Sequence, residues 1–102
     1  MIDREVKNLN KKKITYLILR EVNKRNRPTA DDFGISDKEF CNIIQNLISA
    51  RLIENASVTK NGLMALIKEA RVTLRGQDYL DENSAWNKVY SNVKELRDWI
   101  KL

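Results

Sequence analysis

The sequence predicts an α+β fold of the winged helix-turn-helix class, with four or five helices and one β-hairpin as the wing. Residues that interrupt helices are scarce, since the 102 residues include only three glycines and one proline. This composition favours helices with short connections. The apolar spacing is helical up to Ile53, strand-like up to Val72 and helical again from Thr73. A chain of this length forms one domain, so we expect a single winged-helix domain over residues 1–102.

The first helix is expected from about Asn10, as its N-cap, to about Lys24, with Pro28 preventing its continuation. Its apolar residues recur at helical spacing and form a wide face: Ile14, Tyr16, Leu17, Ile18, Leu19 and Val22. Residues 1–9 also carry spaced apolar side chains. Those residues fit either further helical turns or an N-terminal arm.

Two capping motifs around one glycine predict the helix-turn-helix unit. Thr29 and Asp32 form a capping box that begins a short helix carrying Phe33, and Gly34 ends that helix. Ser36, with Glu39 three residues later, caps the next helix.

This third helix, Asp37 to about Arg51, is amphipathic. Its inner face holds Phe40, Ile43, Ile44, Leu47 and Ile48. Cys41 lies one turn before Ile44, so we interpret it as a small hydrophobic residue at the edge of the core rather than a reactive thiol.

A β-hairpin is predicted after Ile53. The stretches "ENASVT" and "LMALIKEARV" favour strands, and between them Asn61-Gly62 is typical of a two-residue turn. Thr73 caps a fourth helix in which Tyr79 and Leu80 face inward. Gly76 lies one turn into this helix, where we expect it to let the helix press against the hairpin.

The last helix is expected over residues 85–102, capped by Asn83-Ser84. Its apolar stripe supports two alternatives, packing on the first helix of the same chain or a dimer seam, so the protein is a monomer or a homodimer. The residues of the stripe and its flanks are Trp86, Val89, Tyr90, Val93, Leu96, Trp99 and Ile100.

Composition excludes several classes of function. The chain has no histidine and one cysteine, which excludes a Cys-His pair, an ordinary zinc site and an intrachain disulfide. We therefore expect no enzyme activity, no metal and no cofactor. No apolar run is long enough for a membrane helix or a signal peptide, so a cytoplasmic protein without membrane partners is expected.

Two stretches near the C-terminus carry a family resemblance. They are "TLRGQDYL", which includes Gly76, and "SAWNKVYSNVKELRDWIK", while "ITYLILREV" and "GISDKEF" agree more loosely. With these stretches the chain resembles the YjcQ-like family of small bacterial and phage or prophage proteins, from about Asn10 to Lys101. The resemblance implies a winged-helix-like α+β fold and supplies no catalytic motif. Phage members of the family have been described as head-associated proteins.

One functional hypothesis is DNA binding by a phage or prophage regulator, with the third helix in the major groove and the wing on the backbone. Asn and Gln amides pair with adenine, and lysines contact phosphates. The residues predicted to contact DNA are Lys38, Asn42, Gln45, Asn46 and Ser49 of the third helix, Lys60 at the wing tip, and Lys11, Lys12 and Lys13 of the basic N-terminal segment.

The alternative hypothesis is a protein-interaction module or phage structural protein that does not bind DNA. The charge distribution is compatible with this alternative. Residues 1–30 hold nine Lys or Arg and three Asp or Glu, whereas residues 31–60 hold three Lys or Arg and five Asp or Glu. A third helix in an acidic segment is poorly suited to phosphates. Its acidic residues Asp37 and Glu39 also have a local explanation, since they favour a helix N-terminus.

Overall fold

The computed structural model describes residues 2–85, with the backbone alone described over residues 2–10. The elements in chain order are the helix α1 (Ile2–Asn23), a 3-10 helix (Asp31–Phe33), the helix α2 (Asp37–Ser49), the strands β1 (Ile53–Glu54), β2 (Ser57–Val58), β3 (Ala65–Leu66) and β4 (Arg71–Val72), and the helix α3 (Leu74–Glu82). Over these residues the fold is α+β, with three α-helices and a small antiparallel hairpin, and is compatible with a winged-helix-like arrangement. All but the first residue of the predicted last helix lies outside the described residues.

Helix α1 begins at Ile2, eight residues before the predicted start at Asn10. Neither glycine nor proline occurs before Pro28, so nothing in the chain interrupts the helix, and Asn10 is an interior residue rather than a cap. Of the two alternatives for residues 1–9, the backbone from residue 2 onward follows the helical one.

The end of α1 is set before Pro28 by a left-handed residue. Arg25 has a φ of 63°, its N–H donates to the carbonyl of Val22 (3.0 Å), and the N–H of Asn26 donates to the carbonyl of Glu21 (2.9 Å). This pattern is a Schellman motif, in which glycine is the usual left-handed residue. The sequence did not indicate it, because an arginine occupies the glycine position.

The two predicted capping motifs define the segment between α1 and α2. The N–H of Thr29 donates to Oδ2 of Asp32 (2.9 Å), and the N–H of Asp32 donates to Oγ1 of Thr29 (3.3 Å). Gly34 then ends the 3-10 helix with a φ of 67°. Oγ of Ser36 accepts the N–H of Glu39 (3.1 Å) and begins α2. The predicted short helix is present as one 3-10 turn.

The core is formed by buried side chains of α1, α2, the base of the hairpin and α3, together with Phe33 from the 3-10 turn. Helix α1 is buried on all sides over residues 16–20, which explains why its apolar face is wide. The inner face of α2 is buried as predicted, except that Ile48 is half-buried. The largest fully buried side chains are Leu17, Leu19, Ile18, Phe33, Ile44 and Leu47.

The hairpin consists of two short antiparallel pairs. At its base β1 pairs with β4 in the register Ile53↔Val72, and towards its tip β2 pairs with β3 in the register Ser57↔Leu66. Asn55, with a φ of 59°, lies between β1 and β2. The left-handed conformation bends this side of the hairpin, so the ladder is interrupted there.

The turn lies where it was predicted, but the loop has four residues rather than two. Thr59 and Met64 close it, with the N–H of Thr59 donating to the carbonyl of Met64 (2.9 Å). Inside the loop, Oδ1 of Asn61 accepts the hydroxyl of Thr59 and the N–H of Leu63 (3.1 Å). The Asn61 side chain thus takes over bonds that a tight two-residue turn would make with the backbone.

Gly76 is the point where α3 meets the base of the hairpin, as predicted. A methyl group at this position would overlap the carbonyl oxygen of Leu52 and Cγ1 of Val72. Thr73 holds the same junction, because its Oγ1 accepts the N–H of Gly76 (3.0 Å) and donates to the carbonyl of Arg51 (2.6 Å). Only a residue without a side chain allows this close approach.

Candidate nucleic-acid interface

The outer face of α2 is a continuous polar stripe. Capping by Ser36 and burial of the opposite face fix the orientation of the helix, so its remaining side chains point to solvent. All five predicted residues of this helix are exposed: Lys38, Asn42, Gln45, Asn46 and Ser49. One bond within the stripe joins Nε2 of Gln45 to Oγ of Ser49 (3.3 Å). We call this surface the α2 stripe.

The N-terminal end of α2 is acidic. Asp37 and Glu39 lie in its first turn and are exposed, and Asp31 and Asp32 are exposed in the preceding 3-10 turn. Their charges are favourable next to a helix N-terminus. They also repel phosphates at the end of the helix that a winged-helix protein inserts into the groove.

The hairpin packs against α2 through β1, β2 and β3. Its tip carries the predicted Lys60, which is exposed. Around this lysine the hairpin is apolar, since Leu63, Met64 and Leu66 are 54%, 59% and 54% exposed. A candidate wing with one cation and three exposed apolar side chains fits contacts with protein as well as with a phosphate backbone.

Two of the three N-terminal lysines lie next to α3. Lys11 and Lys12 are exposed and line a shallow hollow with Thr15 and Tyr79, and Lys13 is half-buried. Burial raises the pKa of the Tyr79 hydroxyl above its ordinary value, so this group stays protonated and neutral beside the lysines. The predicted DNA-binding residues therefore fall into two groups, one on α2 and its hairpin and one between α1 and α3.

Cys41 is a core residue, in agreement with the interpretation of its sequence position. It is 2% exposed. Burial raises the pKa of its thiol, and the negative charge of Asp37 raises it further. A buried neutral thiol is a weak nucleophile, so Cys41 acts as a small apolar side chain.

The predicted seam residues lie outside the described residues. These are Trp86, Val89, Tyr90, Val93, Leu96, Trp99 and Ile100. Within residues 2–85 no helix is long and apolar enough to cross a membrane.

One surface feature was not predicted. A hollow of about 690 Å³ lies between the end of α1 and the β3–β4 side of the hairpin, and four cationic side chains line it: Arg25, Arg27, Lys68 and Arg71. The first two are more than 40 positions away from the last two in sequence, and their proximity depends on how the hairpin docks on α1. No local pattern in the sequence indicates such a site.

Comparison with known proteins gives one family. The model of a family described as YjcQ protein matches residues 9–99. A curated protein of Bacillus subtilis (strain 168), described as "Uncharacterized protein YjcQ", is 31% identical over 94 residues, which cover 91% of this chain and 100% of that protein. No solved structure matches the chain.

Proposed function

The chain belongs to the YjcQ family, and we propose that it is a non-enzymatic DNA-binding protein of the winged helix-turn-helix type, as in a phage or prophage regulator. In this proposal α2 is the recognition helix and the β2–β3 end of the hairpin is the wing. The observation that carries the proposal is the α2 stripe, a run of exposed amide and hydroxyl groups on a helix whose other face is buried in the core.

The chemistry of the stripe suits base edges. Asn42, Gln45 and Asn46 each present an amide that donates and accepts hydrogen bonds, and an amide pairs bidentately with the N6 and N7 atoms of adenine. A single α-helix fits the major groove of B-DNA. Lys38 and Ser49, at the two ends of the stripe, have the reach and the donors for phosphate oxygens.

The charge around the stripe sets the expected strength of binding. Because Asp37 and Glu39 repel phosphates, the attraction has to come from Lys38, Lys60 and the group of Lys11, Lys12 and Lys13. Neutralising up to about five phosphates makes affinity fall steeply with salt, with a logarithmic slope of up to about −4.5. Binding to random DNA is therefore expected at low salt and is lost at high salt.

A second candidate function is protein interaction through the hairpin, with the protein as a monomer or homodimer in a particle or a host complex. The exposed apolar side chains of Leu63, Met64 and Leu66 favour it. Adjacent apolar groups that are more than half exposed are uncommon on a surface with no partner and are enriched where proteins dock.

The experiment that tests the proposal measures fluorescence anisotropy of a labelled random duplex with the full chain at low and high salt. The double variant Asn42→Ala, Gln45→Ala is compared with the matched variant Gln77→Ala, Asn83→Ala, which removes one amide of each kind outside both the α2 stripe and the residues predicted to contact DNA. On a preferred site selected from random duplexes, the first pair should weaken binding by about 1–3 kcal/mol for each bidentate pairing removed, and the control should change it little.

A second variant separates the positioning charges from the base recognition. Replacing Lys11, Lys12 and Lys13 with alanine should weaken binding to all sequences alike and flatten the salt slope by about one unit for each phosphate that the protein no longer neutralises. If low-salt duplex binding is absent, DNA binding is wrong; if the duplex binds but neither variant changes the affinity, the proposed DNA interface is wrong. Binding of a protein partner by the unchanged chain, and its loss in the variant Leu63→Ala, Met64→Ala, would then favour the protein-interaction function.

A further inference from the structure

The hollow between α1 and the hairpin has the size of a ligand site but not its usual lining. Its volume of about 690 Å³ lies within the range of small-molecule pockets, roughly 300–1,000 Å³. Such pockets are mostly apolar, whereas this one is lined mainly by charged and amide side chains. The apolar contribution comes from Val22, Ile67, Ala70 and Val72. A lining of this kind favours a highly polar ligand over an apolar one.

The charges of the hollow are predominantly positive and not neutralised by ion pairs. The four cations Arg25, Arg27, Lys68 and Arg71 face two carboxylates, Glu54 and Glu69. Glu54 is opposite Arg71 in the β1–β4 register, yet within residues 11–85 the only ion pair formed is between Arg20 and Glu21. Four guanidinium and ammonium groups thus keep their donors available.

The helix terminus accounts for only part of this cluster. Cations next to a helix C-terminus are favourable, which explains Arg25 and Arg27 after the end of α1 at Asn23. Lys68 and Arg71 come from the other side of the hollow, on the hairpin, where no helix ends. Arg25 in addition takes the left-handed position of the Schellman motif, where glycine is the common residue.

We propose that this hollow binds a small molecule that carries a chain of two or three phosphate groups. Arginine and lysine are the side chains that bind phosphate oxygens most strongly, and four of them on two facing walls match more than one phosphate group. The amides of Asn23, Asn26 and Asn55 add neutral donors to the lining. Glu54 and Glu69 would limit the affinity for a single phosphate, since they offset part of the charge.

This site is separate from the proposed DNA interface. Among the described residues, none of α2 lines the hollow, and neither Lys60 nor the lysines at positions 11–13 do so. The two proposals therefore stand on different residues, and each one can fail while the other holds.

Isothermal titration of the full chain with inorganic tripolyphosphate at low salt tests the site. The double variant Lys68→Gln, Arg71→Gln should bind at least about tenfold more weakly than the unchanged chain, since each substitution removes a charge-assisted hydrogen bond. The matched control Arg51→Gln, Arg75→Gln also removes two positive charges, from exposed positions outside both the hollow and the proposed DNA interface, and should change the affinity less than about threefold. All four residues are exposed, so both variants are expected to fold.

Removing negative charge from the hollow provides a second test, in which binding should become tighter rather than weaker. Glu54→Gln, Glu69→Gln removes the two carboxylates and should tighten tripolyphosphate binding by about threefold or more. Equal binding of tripolyphosphate and a nucleoside triphosphate assigns recognition to the phosphate chain, and tighter binding of the nucleotide adds an interaction with its base or sugar. Absence of tripolyphosphate binding at millimolar concentration, or equal weakening in the hollow variant and its control, would overturn the proposal. Duplex DNA is also tested as a competitor of tripolyphosphate. If it displaces tripolyphosphate from the unchanged chain and binds the hollow variant more weakly, the hollow binds the DNA backbone, and the small-molecule ligand is wrong.

Discussion

The capped segment, residues 29–49, and the hairpin, residues 53–72, use their apolar side chains in opposite ways. The first segment buries them, with Phe33, Ile44 and Leu47 almost inaccessible and each turn fixed by a side-chain cap. The hairpin buries Ile53 at its base and exposes Leu63 and Leu66 towards its tip. Its strands have two residues each and form two separate pairs.

This difference indicates which part of the molecule is scaffold and which part is available for binding. Burial and capping make the capped segment rigid, so it can present the α2 stripe in one orientation. The tip of the hairpin contributes little to the core, and its side chains can adapt to a partner. Changes in the two segments should therefore affect the free energy of unfolding very differently.

The largest effect is expected from matched truncations in the two segments. Leu47→Ala truncates an almost fully buried side chain and should lower the free energy of unfolding by about 2–5 kcal/mol. Leu66→Ala truncates a side chain that is 54% exposed and should cost less than about 0.5 kcal/mol. Urea denaturation followed by circular dichroism measures both. Similar destabilisation in the two variants would contradict the division into scaffold and binding surface.

The two glycines at the base and the tip of the hairpin should also differ. Gly76→Ala places a methyl group against Leu52 and Val72 and should cost about 3 kcal/mol through overpacking. At Gly62 the space is open, so Gly62→Ala should cost only the strain of its φ of 69°, about 1 kcal/mol. Thermal unfolding of both variants would show the order, and the reverse order would mean that α3 does not press on the hairpin base.

The caps give a smaller contrast of the same kind. Ser36→Ala removes one capping bond of α2 and should cost about 1 kcal/mol. Thr73→Ala removes a cap and also leaves the carbonyl of Arg51 without its hydroxyl donor, so we expect about 2 kcal/mol. Equal destabilisation in denaturation experiments would indicate that the bond from Thr73 to Arg51 contributes nothing.

The smallest effect is a gain in stability at the left-handed arginines that precede the two segments. Arg25 follows α1 with a φ of 63°, and Arg51 follows α2 with a φ of 61°. Glycine adopts this conformation without strain, so Arg25→Gly and Arg51→Gly should each stabilise the fold by about 1 kcal/mol, measured by thermal unfolding.

The two arginines separate stability from binding. Arg25 lines the hollow and Arg51 does not, so Arg25→Gly alone should weaken tripolyphosphate binding while it raises the melting temperature. If both substitutions destabilise the protein, the arginine side chains make interactions that outweigh the backbone strain.

The sequence alone determined the features that depend on neighbours along the chain. A capping bond joins residues three positions apart, and a buried helix face repeats every three to four residues. Thr29, Ser36 and Thr73 could therefore be assigned as caps, and Phe40, Ile43, Ile44 and Leu47 as the buried face of α2, before any coordinates. For the same reason, the sequence alone predicted that Gly34 ends the short helix and that the α2 stripe is exposed.

Only the tertiary structure decided the features that depend on residues far apart in the chain. The hollow between α1 and β4 results from how the hairpin docks on the helices, and the pairing of Ile53 with Val72 at the hairpin base joins residues that are far apart in the chain. The left-handed arginines were hidden for a related reason, because packing on both sides of a helix end can impose a conformation that the residue itself disfavours. Local propensities are worth tenths of a kcal/mol up to about 1 kcal/mol per residue, and the burial of a core side chain outweighs them.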